Sequence, residues 1–304
     1  MKWRKLGLLW SPSGERPWAR SHAMIPTPVQ KPDGGIRLLV GCTDENTVGR
    51  IGWIDLAPND PTRVIAEADS PVFDIGRAGT FDDNGVVPLC AVRVDDKLRL
   101  YYSGFQMQRK VPYTIFSSLA YGTPNGTDFR RASETPILDR GPTELFFRAA
   151  PFVMRVGTRW RMWYIGGSDW TESEGKSLPV YSLCHAESED GINWPRAGQV
   201  CFRPEQPHEI GFGRPWVMRD ADGFRLWYSV RSVNGYRLGY ATSPDGLLWK
   251  RRDAEVGIAP STEGWDSEMI CYACIQQLGD DLVMFYNGNG YGRSGVGGAI
   301  LEHG

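Results

Sequence analysis

The sequence predicts an all-β protein: a five-bladed β-propeller of four-stranded antiparallel blades, one domain over residues 1–304, closed by the N-terminal strand. Three observations point there. One aromatic run recurs five times at near-constant spacing, turn-rich hairpins recur with it, and the last copy lacks a fourth strand that the N-terminus can supply. Composition agrees, with 41% hydrophobic and 12% aromatic residues for pleated surfaces and with 36 Gly and 21 Pro for tight turns. A 304-residue chain of this kind buries a large core and excludes wholesale disorder.

The recurring run reads Arg37-Leu-Leu-Val-Gly41, Arg99-Leu-Tyr-Tyr-Ser103, Arg161-Met-Trp-Tyr-Ile165, Arg225-Leu-Trp-Tyr-Ser229 and Val283-Met-Phe-Tyr-Asn287. Aligned on Val40, Tyr102, Tyr164, Tyr228 and Tyr286, the copies are 62, 62, 64 and 58 residues apart. Eleven residues before each marker stand Val29, Ala91, Val153, Val217 and Ile275, each ending a short apolar run that reads as a first strand. Turn signals join the two, as at Asp33-Gly34-Gly35, Asp95-Asp96 and Asp222-Gly223. Third strands follow at 119–121, 183–186 and 238–241. Next come hairpins with Asn-Gly or Asp-Gly at the turn and an aromatic opening the fourth strand: 123–129, Ser188-Glu-Asp-Gly-Ile-Asn-Trp194 and Ser243-Pro-Asp-Gly-Leu-Leu-Trp249. The fifth unit ends at its third strand, 295–301, and Trp3-Arg4-Lys5 matches the fourth-strand openings Phe129-Arg-Arg131, Trp194-Pro-Arg196 and Trp249-Lys-Arg251. Repetition of four-stranded units about an axis is the propeller plan.

Charge and cysteine usage narrow the function. Thirty-four basic against 36 acidic residues give a net charge of −2, so no global field attracts nucleic acid or an anionic membrane. No apolar run is long enough for a membrane span, and the basic N-terminus lacks the apolar core and cleavage site of a signal peptide. Cys42, Cys90, Cys184, Cys201, Cys271 and Cys274 show no paired spacing, which fits free thiols and a cytoplasmic location. The lone Cys271-x-x-Cys274 has no second pair, so no metal and no cofactor is expected. Gly288, Gly290 and Gly292 precede no helical pattern, which speaks against a dinucleotide site.

In a propeller the first strands line the axis, and their entry ends form the funnel where ligands bind. Those segments are 21–26, 81–85, 144–148, 209–215 and 265–269. They carry Arg20, His22, Asp82, Asp83, Asn84, Glu144, Arg148, His208, Glu209, Arg214, Asp266 and Glu268. Polar groups converging from separate elements describe a binding site. Each has a structural alternative: residues 82–84 as a turn, Asp266 and Glu268 as partners of Arg148 or Arg214, Arg148 as a stacking group among Phe146, Phe147 and Phe152. Trp170 and Tyr113 fall in loops after second strands, 166–180 and 104–117, that are longer than hairpin norms and where they could stack on a sugar or simply pack. His185 and His303 are assigned no function.

The aromatic second strands and the two Ser-x-Asp-Gly-x-x-Trp hairpins resemble the five-bladed propeller glycosidases, glycoside hydrolase families 32, 43, 68, 117 and 130, over all five repeats. The resemblance implies a carbohydrate-active enzyme that cleaves or transfers a glycosyl group of a small glycoside in the funnel, and Arg148 and Arg214 extend the expectation to an acidic or phosphorylated one. It departs from those families at one place. Where families 32 and 43 keep carboxylates on first strands, this sequence reads Pro26, Pro88, Ala150, Arg214 and Tyr272. Glycosidic cleavage needs one protonated and one ionised carboxyl group. Asp83 and Glu268 are the expected catalytic pair, with Asp82 and Asp266 as second choices. His22, Asn84, Glu144, Arg148, Arg214, Trp170 and Tyr113 are the expected substrate contacts, the two guanidinium forks suiting a carboxylate or phosphate. The alternatives are a non-catalytic carbohydrate-binding propeller, and a phosphorylase or glycosyltransferase on the same fold.

Overall fold

A computed structural model describes residues 1–58, 60–173, 175–205 and 208–302; His303 lies outside them. Nearly all regular structure is strand. The chain opens with β1 (Trp3–Trp10), then β2 (Ser21–Gln30), β3 (Ile36–Thr43), β4 (Gly49–Ala57) and β5 (Asp60–Glu67). The next group is β6 (Val86–Val94), β7 (Lys97–Met107), β8 (Tyr113–Gly122) and β9 (Arg130–Arg131). It is followed by β10 (Phe147–Val156), β11 (Arg159–Ser173), β12 (Lys176–Ser188) and β13 (Gln199–Phe202). Then come β14 (Gly211–Asp220), β15 (Gly223–Ser232), β16 (Gly235–Ser243) and β17 (Lys250–Arg251), and finally β18 (Cys271–Leu278), β19 (Asp281–Asn287) and β20 (Val296–Leu301).

Sequence neighbours within each group pair antiparallel. The last group is completed from the other terminus, since β20 pairs with β1, Trp3 opposite Leu301 and Trp10 opposite Val296. The three middle groups join in one twelve-stranded sheet through brief parallel contacts, β10 on β8 and β12 on β14. First strands touch in sequence, β2 on β6, β6 on β10, β10 on β14 and β14 on β18, and β18 touches β2.

The repeated marker explains the core. Alternation along a strand sends neighbouring side chains to opposite faces, so Tyr101 and Tyr102, or Trp163 and Tyr164, pack on both sides of one second strand and are fully buried. Burying each such ring is worth about 2–3 kcal/mol. The Ser-x-Asp-Gly hairpins dock each group on the one before it. Arg99 and the Tyr101 hydroxyl donate to the carbonyls of Asp190 and Gly191 at 2.7 and 2.8 Å. Arg161 and the Trp163 indole do the same to Asp245 and Gly246 at 2.6 and 2.8 Å. Within the hairpin, the Asp190 carboxylate accepts the N–H groups of Ile192 and Asn193, which holds it well below the usual carboxylate range. Gly191 sits at φ 73°, and a Cβ there would meet Trp160, Arg99 and Tyr101.

First strands are bulged near their entry ends, with register shifts between Met24 and Thr27, Pro88 and Cys90, Ala149 and Phe152, Gly213 and Trp216, and Cys271 and Cys274. The bulge frees a backbone N–H, and a second-strand side chain of the preceding group takes it. Ser103 accepts from Ala150 at 3.0 Å, Ser229 from Tyr272 at 2.8 Å, and Asn287 from Ile25 at 2.7 Å. The last of these ties the fifth group to the first, and Asn287 also donates to Ala23 and Gly295.

Two expectations about local structure change. The segments at 81–85, 144–146 and 265–269 are turns and bridges ahead of β6, β10 and β18, not strand. The segments at 104–117 and 166–180 are largely strand: Tyr113 begins β8 and Trp170 lies in β11, because both hairpins continue beyond the sheet body.

Candidate functional site

A cavity of about 460 Å³ opens where the entry ends of the first strands meet the extended hairpins. Its floor is the line of bulges, with Ile25, Leu89, Ala150 and Arg214 from β2, β6, β10 and β14. The walls are largely aromatic: Phe105, Tyr113, Tyr181, Tyr236, Tyr272 and Tyr291. The polar lining is His22, Thr43, Asn84, Ser103, Arg214 and Arg231, with Thr47 at the rim; among the described residues no Asp or Glu lines it. Volume and walls suit a mono- or disaccharide, whose apolar faces stack on rings while hydroxyls take the few polar groups.

Arg214 crosses the floor and is 1% exposed. It donates to the carbonyl of Tyr272 at 2.7 Å, to the carbonyl of Pro26 at 2.6 Å, to the Thr27 hydroxyl at 3.0 Å and to the Leu89 carbonyl at 3.5 Å. One guanidinium from β14 thus gathers β18, β2 and β6. Burial pulls its pKa below the usual arginine value, and its Nε finds no hydrogen-bond partner among the described residues. His22 is held at φ 65°, with Nδ1 at 2.8 Å from the Ser21 hydroxyl and 3.0 Å from that of Thr43. Burial, then the charge of Arg293, lowers its pKa, so the ring facing the cavity is neutral at physiological pH.

Of the residues singled out from sequence, His22, Asn84, Tyr113 and Arg214 line this cavity. Trp170 does not line it but packs behind it, its ring centre 5.4 Å from that of Tyr113 and 5.0 Å from that of Phe147. Asp82, Glu144, Arg148 and Asp266 lie elsewhere. Each belongs to a recurring contact in which a carboxylate at a strand entry accepts the hydroxyl of the marker tyrosine and pairs with a cation. Tyr102 donates to Asp82 at 3.1 Å and Arg131 pairs with it at 2.8 Å. Tyr164 donates to Glu144 at 2.6 Å, and Arg148 pairs with Glu144 at 2.9 Å. Tyr228 donates to Asp253 at 2.5 Å, and Arg251 joins Asp253 to Glu209. Tyr286 donates to Asp266 at 2.9 Å, and Lys5 pairs with it at 2.6 Å. A buried phenol needs an acceptor and a buried carboxylate needs a cation, and the contact recurs in four groups, the carboxylate standing ahead of the first strand in three of them and after β17, as Asp253, in the fourth. The carboxylate cluster seen in the sequence is largely this latch.

Arg148 also donates to the carbonyls of Asp139 and Pro195, which fills its fork. Asp83 accepts from the Gly79 N–H at 2.8 Å and sits in the turn before β6. Glu268 is exposed, its backbone held by Asn289 and Arg237. Neither Asp83 nor Glu268 is among the cavity-lining residues, so the pair is not brought together over the cavity. Both are free of ion pairs among the described residues, unlike Asp82, Glu144 and Asp266.

Sequence reasoning missed Phe105, Arg231, Tyr236, Tyr272 and Tyr291. A signal existed for two of them. Thr43, Phe105 and Arg231 each stand three residues past a marker, on the face that alternation gives to Ser103, and all three line the cavity. The second-strand extension carried the lining, not the first-strand entry alone.

No protein-family model matches the chain. Over its full length it is 34% identical to the uncharacterized protein Rv1502 of Mycobacterium tuberculosis H37Rv, covering 100% of both chains. The same identity and coverage hold for uncharacterized protein MT1551 of strain CDC 1551. Among solved structures it is similar to a glycoside hydrolase with a TM-score of 0.76 at 17% identity, covering 99% of this chain and 92% of that one. A glycosyl hydrolase from Bacteroides ovatus gives 0.73 at 17%, over 98% and 93%. A structure from the GH130 family of mannoside phosphorylases, containing glycoside hydrolases that target β-1,2-mannosidic linkages in Candida mannan, gives 0.71 at 17% over 99% and 93%. At this identity the likeness is one of fold, that of the glycosidase-like β-propeller proteins. Among the described residues no helix is long and apolar enough to cross a membrane.

Proposed function

Since the chain belongs to the family of the mycobacterial protein Rv1502 and has the glycosidase-like propeller fold, we propose that its central cavity binds a small carbohydrate. The proposal takes residues 1–304 as one five-bladed unit whose last blade is closed by β1, so that the cavity sits on the axis. The observation that carries the reading is the lining itself: six aromatic side chains around polar groups, without an Asp or Glu among the described residues. A two-carboxylate reaction has no acid and base there, whereas stacking and hydrogen bonding are fully provided for. Calorimetric titration of mono- and disaccharides is the test. Micromolar to millimolar binding that is lost in Tyr236→Ala and Phe105→Ala, both still folded, supports the site. Binding unchanged in both variants, or no binding by any sugar, overturns it.

A second reading, glycosyl cleavage or transfer with Asp83 and Glu268, is favoured by one feature. These carboxylates have no ion-pair partner among the described residues, and Asp83 precedes Asn84 on the cavity wall. It expects turnover of aryl glycosides, with water, phosphate or a sugar as acceptor, that disappears in Asp83→Asn and Glu268→Gln. Turnover that survives both substitutions eliminates these roles.

A further inference from the structure

The cavity holds a charge without a partner. Arg231, at the extended end of β15, presents a half-buried guanidinium to the lining. Its side chain makes no hydrogen bond and no ion pair among the described residues, and its guanidinium carbon lies 5.8 Å from the centre of the Tyr236 ring. The arginines of the carboxylate latches contrast with it: Arg131 pairs with Asp82, Arg148 with Glu144, and Arg251 with Glu209 and Asp253. Around Arg231 stand phenols instead, Tyr236, Tyr181, Tyr291 and Tyr113. Burial raises the pKa of Tyr181 and Tyr236 well above the usual value, so both remain neutral and cannot serve as counter-ions. Below them Arg214 adds a second positive charge whose Nε is buried and unpartnered. Burying a cation in a mostly aromatic cavity costs free energy that a fixed carboxylate would normally offset, and here none is built.

We infer that the counter-ion is supplied by the ligand, and that Arg231 selects a sugar bearing a carboxylate or phosphate group. This rests on the carbohydrate reading of the same cavity and adds the ligand's charge to it. A guanidinium fork offers two parallel donors to a planar carboxylate or to a phosphate edge, and neighbouring phenols can donate to the remaining oxygens. Arg231 takes over the role that the sequence suggested for Arg148, whose donors are already used within its own blade.

Matched probes test this by calorimetry at low salt: glucose, glucuronate and glucose 1-phosphate, the corresponding galactose and mannose sets, and inorganic phosphate alone. In at least one set the charged member is expected to bind about 10- to 100-fold tighter than the neutral sugar, the range for a charge-assisted hydrogen-bonded pair. That preference should shrink as salt is raised. It should vanish in Arg231→Gln and partly persist in Arg231→Lys, with the unliganded thermal midpoints of both variants near that of the wild type. Neutral and charged members binding alike, or a preference that survives Arg231→Gln, overturns the inference and leaves the carbohydrate reading standing. Inorganic phosphate binding that depends on Arg231, with no sugar of any kind binding, supports the anion site and removes the carbohydrate reading. Binding of none of the anions overturns the anion site. Whether glucuronate-type or phosphate-type probes bind decides between the two anion chemistries.

Discussion

Replacing Lys5 by Met tests whether Asp266 is a structural latch for the closing strand. Lys5 Nζ lies 2.6 Å from an Asp266 oxygen that also accepts the Tyr286 hydroxyl at 2.9 Å. The Asp266 side chain is 2% exposed and that of Lys5 25%. At an effective dielectric near 20 the attraction at this separation is about 6 kcal/mol before desolvation is subtracted. Removing one partner of a buried pair costs about 3–5 kcal/mol, and the partly wet ammonium lowers this to about 2–3 kcal/mol. Lys5→Met and Asp266→Asn are each expected to cost about that much, and the double variant about 1–2 kcal/mol less than their sum. Urea midpoints at pH 7 give the cycle, and amide exchange of residues 3–10 locates the effect on β1. Burial alone would raise the Asp266 pKa, but hydrogen bonds from Lys5, Ser261 and Tyr286 outweigh it and hold the carboxyl below the usual value. A carboxylate depressed in the folded state contributes stability above its unfolded pKa of about 3.9 and loses it as pH falls through the folded value. Protection of residues 3–10 should therefore fall on acidification below that point in the wild type and stay level in Asp266→Asn. Additive costs, or exchange on β1 that ignores both substitutions, would refute the latch. Intact stability with abolished ligand binding would return Asp266 to the site.

Three further outcomes are expected. His185 is buried against Trp163, 5.4 Å between ring centres, its Nε2 has no hydrogen-bond partner among the described residues, and burial pushes the imidazole down to about 4. The unfolded chain then binds the proton first, so stability falls between pH about 6.5 and about 4 by up to about 3 kcal/mol. His185→Phe should flatten the urea midpoint over that window, and superimposable pH profiles would exclude the effect. Asn287→Ala strands the Ile25 N–H in a left-handed bulge at φ 56° and removes both donors to Ala23 and Gly295. A loss of about 3 kcal/mol is expected, with faster exchange of the Ile25 amide; unchanged exchange there contradicts the joint. Arg214→Lys keeps the charge but cannot span carbonyls on three strands, so it should destabilise by about 3 kcal/mol or more; a wild-type urea midpoint would show that the spokes carry little.

The fold was legible because its signals are local and repeated. A marker such as Leu-Trp-Tyr needs only strand alternation to be read, and the pairing of Trp3 with Leu301 follows from finding Trp-x-Lys where other units have Phe-x-Arg or Trp-x-Arg. The site was legible only in part. His22, Asn84, Tyr113 and Arg214 were found because they lie on or beside first strands or their neighbours. Asp82, Glu144 and Asp266 drew attention for the same positional reason, yet their partners Tyr102, Tyr164 and Tyr286 lie about twenty residues away. A side-chain pairing at that distance leaves no pattern in a single chain. How far a hairpin extends beyond its sheet was also invisible, which hid Tyr236 and left the register signal at Phe105 and Arg231 without a place on the cavity.

The repeat itself separates scaffold from site. A position where every unit carries the same chemistry is answering a demand that every unit shares. Tyrosine, carboxylate and cation meet in four groups, and the hydroxyl or amide that takes a bulge N–H recurs at Ser103, Ser229 and Asn287. Packing between neighbouring strand groups explains both, and neither requires a ligand. Three residues past the marker the demand changes from unit to unit: Thr43, Phe105 and Arg231 share one register and one cavity, but not one chemistry. The register is shared but the chemistry at it is not, which a demand common to all strands does not explain. A ligand lying in the cavity does, since it offers each strand group a different edge. The other two units carry Gly167 and Asn289 at this register, so Arg231 is the single charge in the series and marks where the ligand's own charge must lie. Transplanting the arginine provides the sharpest check: Arg231→Phe combined with Phe105→Arg keeps the cavity's net charge but moves it from β15 to β7. Anion binding that persists unchanged would mean that general positive potential suffices, whereas its loss ties recognition to the β15 position.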